Sequence, residues 1–148
     1  MLHEEVFLAV PHSHPLARRG SVRLSEVSGE PFVGYKEGYP YRQMNDEYCR
    51  KAGFQPRVVC EVEDPRSIAD LVRAGFGVAL VGECKSGEEL GLTKLRIERP
   101  VCERSFHIAW LDNRYLSKAA IAFRDFLVQY FAETQRSGRK STLLMKLS

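Results

Sequence analysis

Apolar residues in this chain arrive in short runs divided by polar turns, and the spacing within the runs switches between a period of two and a helical period. In residues 5–10, Val6, Leu8 and Val10 fall on one side and Phe7 and Ala9 on the other, which predicts a strand covered on both faces. Pro11-His12-Ser13-His14-Pro15 ends it. A short helical turn is predicted over 24–27, closing at Ser28-Gly29, and residues 32–35 read as a second strand. Beyond the turn Gly38-Tyr39-Pro40, Tyr41, Met44, Tyr48 and Ala52 recur at helical spacing until Gly53 stops them. Residues 57–63 alternate, with Val58, Cys60 and Val62 against Arg57, Val59, Glu61 and Glu63, as a strand does.

The most telling stretch is 63–81. Asp64 is an apt N-cap, and Pro65 fits the first helical position, where its missing N–H costs nothing. Ile68, Leu71 and Val72 share one helical face, Gly75 sits where a left-handed C-cap belongs, and residues 78–81 are an apolar run suited to a buried strand. A hairpin-like polar section through Ser86-Gly87-Glu88-Glu89 leads to a strand at 92–97. Residues 105–111 predict another strand, with Phe106, Ile108 and Trp110 opposite Ser105, His107 and Ala109. Ser117 caps a last helix, on which Leu116, Ala119, Ala120, Phe123, Phe126, Leu127, Tyr130 and Phe131 form a broad stripe. The strand–helix–strand–helix–strand order in the middle implies a parallel sheet and an α/β fold. The first strand, the late strand and the final helix have no evident place in that small sheet.

Composition adds limits. The chain has 148 residues, 44% hydrophobic and 28% charged, which suits a soluble globular protein of one domain or one domain and part of another. No apolar run approaches the ~20 residues of a membrane span, and the first residues do not look like a secretory signal, so the cytoplasm is the expected setting. Four of the basic residues behind the net charge of +3 lie in 136–148, which holds no acid, so the rest of the chain sums to −1. That tail reads as a flexible, solvated terminus, and the near-neutral remainder gives no basic face for DNA.

Other chemistry is thin. Cys49, Cys60, Cys84 and Cys102 contain no CxxC pair, which argues against zinc and redox motifs. Gly75 and Gly77 follow a helix and precede a strand, the reverse of a dinucleotide fingerprint. His12 and His14 lack evident partners for a metal and fit a solvated or capping role, and His107 fits a satisfied sheet histidine. No GxSxG, HExxH or nucleophile–base set is present, and neither an enzyme nor a cofactor is expected. Ligands of open α/β sheets bind beyond the carboxyl ends of strands. Two segments run from such an end into a helix start: residues 35–42, with Tyr35, Lys36, Glu37, Tyr39, Tyr41 and Arg42, and residues 63–67, with Glu63, Asp64 and Ser67. Helix starts suit carboxylates, Lys36 and Arg42 are expected to add charge-assisted bonds, and Tyr39 and Tyr41 to line a ring. The competing reading packs Tyr41 in the core and leaves the others in water, with Glu61, Glu63 and Asp64 a solvated acidic strand end.

Several phrases in order resemble the effector-binding domain of LysR-type transcriptional regulators: Glu5-Val6-Phe7-Leu8-Ala9-Val10-Pro11 with His14-Pro15-Leu16-Ala17, Gly29-Glu30-Pro31-Phe32-Val33, Ala52-Gly53-Phe54-Gln55-Pro56, and Leu71-Val72-Arg73-Ala74-Gly75-Phe76-Gly77-Val78-Ala79-Leu80. Ile108-Ala109-Trp110 and residues 120–131 resemble that domain's returning strand and terminal helix. The resemblance covers roughly residues 3–132. It implies a type 2 periplasmic-binding-protein-like fold with one complete subdomain and the C-terminal part of the other: 1–12 as a crossing strand of subdomain one, 13–100 as subdomain two, 101–135 as the return of subdomain one, and 136–148 as the tail. It further implies a sensor of a small organic acid or aromatic effector, without its own helix-turn-helix, cut short at the front. The alternatives are a fragment of a solute-binding protein and an interaction module that dimerises with intact regulators. Without the first half of subdomain one, the aromatic stripe of the last helix is left bare, so a homo-oligomer is expected.

Overall fold

The doubly apolar opening run becomes the middle of a sheet. In the computed structural model, which describes residues 2–83, 91–107, 109–110 and 115–136, β1 (Leu2–Pro11) pairs antiparallel with β5 (Ala79–Gly82) on one side and β6 (Leu92–Arg99) on the other. Leu8 lies opposite Leu80 and Leu95. β2 (Ser21–Arg23) adds parallel to β6, and β7 (Glu103–Phe106) also pairs with β1. With neighbours on both edges and apolar groups on both faces, Leu8, Ala9 and Val10 are wholly buried. One face joins Leu24, Val27 and Leu95; the other joins Val33, Ile68 and Val72. β2, only three residues long, is absent from the sequence reading.

The parallel unit is smaller than expected. β3 (Pro31–Tyr35) and β4 (Arg57–Val62) run parallel, from Pro31 opposite Arg57 to Tyr35 opposite Val62, with a register shift that leaves Val59 without a counterpart. The third expected parallel strand touches this pair through one bridge, Phe32 to Val78, before its body turns antiparallel against β1. Gly77 makes that approach possible: a Cβ there would lie 2.4 Å from the Pro31 carbonyl oxygen. Helix α1 (Pro40–Lys51) joins β3 to β4, and α2 (Pro65–Arg73) follows β4. Asp64 caps α2 as predicted, and Gly75 leaves it with φ of +86°.

Residues Glu5–Cys102 form one compact unit, and the other described residues form a second. Within the expected crossing strand of residues 1–12, pairing with β5 begins at Val6 and pairing with β6 at Phe7. In the second unit the predicted strand over 105–111 is shorter and earlier. β7 stops at Phe106, its buried position is Arg104, close to Glu4 (Nη1–Oε2 3.8 Å), and His107 is exposed instead of sitting in the sheet. Ile108, Leu111, Cys84, the 86–89 hairpin and the basic tail from Ser137 lie outside the described residues. Helix α3 (Lys118–Arg136) begins where expected, with the Ser117 hydroxyl accepting from the Ala120 amide at 3.2 Å. Its stripe divides: Ala120, Leu127 and Phe131 are half-buried, while Phe123, Phe126 and Tyr130 are 63%, 60% and 53% exposed. No described helix is long and apolar enough to cross a membrane.

Candidate functional site

The two segments singled out in the sequence meet at one sheet edge. β3 and β4 end side by side at Tyr35 and Val62, and the Lys36 amide donates to the Val62 carbonyl at 2.9 Å, holding the two exits together one residue further. The Lys36 ammonium then reaches Glu63 at 3.2 Å, with both side chains more than half exposed. A pair so wet contributes little to stability and is easily rearranged. The chain next makes a turn, Tyr39 amide to Lys36 carbonyl at 3.2 Å, and enters α1 at Pro40.

The two helix starts at this edge differ. At α2 the Asp64 carboxylate accepts from the Ser67 amide at 3.0 Å and the Ser67 hydroxyl at 2.5 Å. Those bonds, the hydroxyl's first, hold the Asp64 carboxyl below its ordinary 3.8. The positive end of α2 therefore already has its anion. At α1 the N-cap is Tyr39, which makes no side-chain bond to the first turn; its backbone carbonyl accepts from the Arg42 and Gln43 amides at 3.0 and 3.2 Å. α1 is the start with no side-chain anion on it.

Arg42, expected to add a charge-assisted bond to a ligand, is already paired within the chain. Its Nη1 donates to the Tyr35 backbone carbonyl at 2.9 Å and to Glu61 at 2.7 Å, and its Nε donates to Asp46 at 3.0 Å. Burial works against its charge, but Glu61 and Asp46 outweigh that and hold the guanidinium above its ordinary value. Tyr41 packs on Tyr35, ring centroids 5.3 Å apart; Tyr35 is buried and Tyr41 half-buried. Lys36, Glu37, Tyr39 and Glu63 remain exposed at the edge. The acidic group is not simply solvated, since Glu61, Glu63 and Asp64 each have a named partner.

Sequence reading missed a groove of about 780 Å³ beside α1, walled by Arg42, Asp46, Glu47 and Arg50 and floored by Phe54 and Pro56. Its charges pair internally, Arg42 with Asp46 and Arg50 with Glu47, so it presents no uncompensated cation to an acid. The signal was the Gly53-Phe54-Gln55-Pro56 phrase, which in the sequence serves as a helix stop and a family phrase and gives no sign of a groove. His14 takes a capping role: its Nδ1 accepts from the Leu16 amide at 3.1 Å and its Nε2 meets Glu30 at 3.0 Å. Cys49 is buried, and desolvation pushes its thiol up to about 12. Among the described residues no group of His, Cys, Asp and Glu is arranged to hold a metal.

A mixed α/β unit with a parallel strand edge opening onto helix starts, joined by a doubly paired strand, is that of type 2 periplasmic-binding-protein-like effector domains. The chain belongs to the LysR substrate-binding domain family, whose model matches residues 1–132. This is a family of transcriptional regulators rather than enzymes, and the match displaces the solute-binding-protein reading. The chain is 38% identical over 130 residues to the uncharacterized HTH-type transcriptional regulator YybE of Bacillus subtilis, covering 88% of this chain and 44% of that protein. It is 36% identical over 135 residues to the transcriptional dual regulator GltC of the same organism, covering 90% and 45%. Among solved structures, the effector binding domain of QuiR in complex with shikimate superposes with a TM-score of 0.82 at 26% identity, over 89% of this chain and 63% of that one. The chain thus spans about half the length of the curated relatives it matches.

Proposed function

We propose that the edge formed by the ends of β3 and β4 receives the carboxylate of a small organic acid, and that this chain is the effector-sensing part of a cytoplasmic transcriptional regulator. The observation that carries the reading is the shared strand edge itself: Lys36 and Glu63 face each other there, and α1 begins beside them without a side-chain cap. A ligand carboxylate would exchange with Glu63 for the Lys36 ammonium and lie at the positive end of α1. Tyr39, 36% exposed, offers a ring edge to the body of a cyclic acid. Glu37 flanks the same loop and would disfavour dianions. Shikimate, the ligand of the QuiR domain, supports a hydroxylated cyclic carboxylic acid as the first probe.

Calorimetric titration with shikimate and with benzoate tests the reading. Saturable binding that weakens roughly threefold to tenfold in Lys36→Ala is expected, the size of one partly exposed charged contact. Equal affinity in the variant would move the carboxylate elsewhere. An absence of binding by either acid would count against the acid class.

A further inference from the structure

We infer that the groove beside α1 is a second ligand site, distinct from the strand edge, and that it takes a small organic cation with a flat apolar body. Its volume of about 780 Å³ is in the range of sites that hold drug-sized molecules. The groove is built before any ligand arrives. One wall is a single face of α1, with Arg42, Asp46 and Arg50 on successive turns. The floor is the segment that returns from the helix, and the backbone fixes it: the Gly53 amide donates to the Arg50 carbonyl at 3.0 Å and the Phe54 amide to the Cys49 carbonyl at 3.1 Å. The Phe54 ring packs on Phe32, centroids 6.0 Å apart, and is half-buried where it lines the groove. A preformed floor of this kind loses little entropy when a ligand settles on it.

Charge selects the ligand. Asp46 receives one N–H of Arg42, shared between its two oxygens at 3.0 and 3.2 Å, whereas a carboxylate accepts about four bonds. Its side chain is 43% exposed and so within reach. The same guanidinium also serves Glu61 at 2.7 Å, so one cation stands between two carboxylates and this end of the groove is net negative. At the other end Arg50 holds Glu47 through two bonds and Lys51 follows it, so the cations gather there. An ammonium head would donate to Asp46 and lie away from Arg50. Its ring would rest on Phe54 and Pro56, and the face of an aromatic ring attracts a cation as well as apolar surface. A carboxylate of the same shape would meet Asp46 and Glu61 with like charge.

Amide-resolved NMR titration of the full chain with phenethylamine, phenethyl alcohol and phenylpropionate is the test, because the three share one body and differ in the charge of the head. The expected result with the amine is a set of saturable shifts at Gln43, Asp46, Glu47 and Phe54, with a dissociation constant of roughly millimolar order for so small a probe. The alcohol should bind there about fivefold more weakly or worse, and the acid should leave those amides still. Asp46→Asn, with circular dichroism to confirm that it folds, should weaken the amine about fivefold or more. The three probes on the unaltered chain decide the matter if that variant does not fold. An absence of saturable shifts in the groove with the amine overturns the inference. So does equal affinity for the three probes, and so does a folded Asp46→Asn chain that binds the amine unchanged.

Discussion

The Arg42 guanidinium donates to the backbone carbonyl of Tyr35 at 2.9 Å, tying the first turn of α1 back to the end of β3. The same side chain reaches Glu61 on β4 and Asp46 one turn along α1, so one residue fastens three elements beneath the proposed ligand edge. Arg42→Ala is expected to lower stability by about 1.5–3 kcal/mol, the worth of hydrogen bonds to charged groups in a half-buried setting. The urea midpoint should fall with its slope unchanged. Arg42→Lys should recover only part of the loss, because an ammonium cannot span the fork. An unchanged midpoint accompanied by a large loss of ligand affinity would mean that the guanidinium faces the ligand after all.

Gly77 lies against the backbone of Pro31 with no room for a side chain. An added Cβ would meet the Pro31 carbonyl oxygen at 2.4 Å and its carbon at 2.8 Å, and the Val78 amide donates to that same oxygen at 2.9 Å. Backbone cannot swing aside as a side chain can. Gly77→Ala is therefore expected to cost about 2–3 kcal/mol, toward the upper end of overpacking effects. Gly29→Ala, with nothing within 4 Å and no positive φ, is the matched control and should be neutral or slightly stabilising. Thermal unfolding of the two variants side by side decides it. Equal transitions would contradict the close-approach account.

Asp64 gives α2 a pH dependence with a definite sign. Its carboxyl is depressed in the folded chain, chiefly by the Ser67 hydroxyl and then by the Ser67 amide. The capping contribution is therefore complete above the ordinary carboxylate value and lost as pH falls through the lower, folded value. The Ser67 amide proton shift, followed by NMR, should titrate with a midpoint below 3.8 and lie flat over the same range in Asp64→Asn. A midpoint at or above 3.8 would show that the cap is not formed.

Most of the elements were legible because their signals are local. The Asp64-Pro65 start and Gly75 stop of α2 and the alternation of β4 each depend on a handful of neighbouring residues. Sheet partners were not legible. β1 announces burial on both faces, yet nothing near it in sequence says that its neighbours are Leu80 and Leu95, more than seventy residues away. β2 is too short to carry a period, and the turn of β5 from Val78 toward β1 is set by Gly77 meeting Pro31 in space. In the candidate site, strand ends and helix starts could be placed from sequence because they follow from element order. Which cation faces outward could not. Lys36 and Arg42 are equivalent on paper, and only the positions of Tyr35, Asp46 and Glu61 make Arg42 a clamp. The broad stripe of α3 looked like a single face, and the structure divides it into a half-buried side and an exposed one.

Amide-resolved NMR titration of the chain with shikimate, repeated with benzoate, tests the central claim most directly, because it reports where an acid lands as well as whether it binds. Saturable shifts are predicted at Lys36, Glu37, Gly38, Tyr39 and Tyr41 around the start of α1, and at Glu63 across from them. Arg50, Gly53 and Phe54, which line the groove beside α1, should stay still. Shifts confined to that groove, or no saturable shift at the strand edge with either acid, would contradict the account.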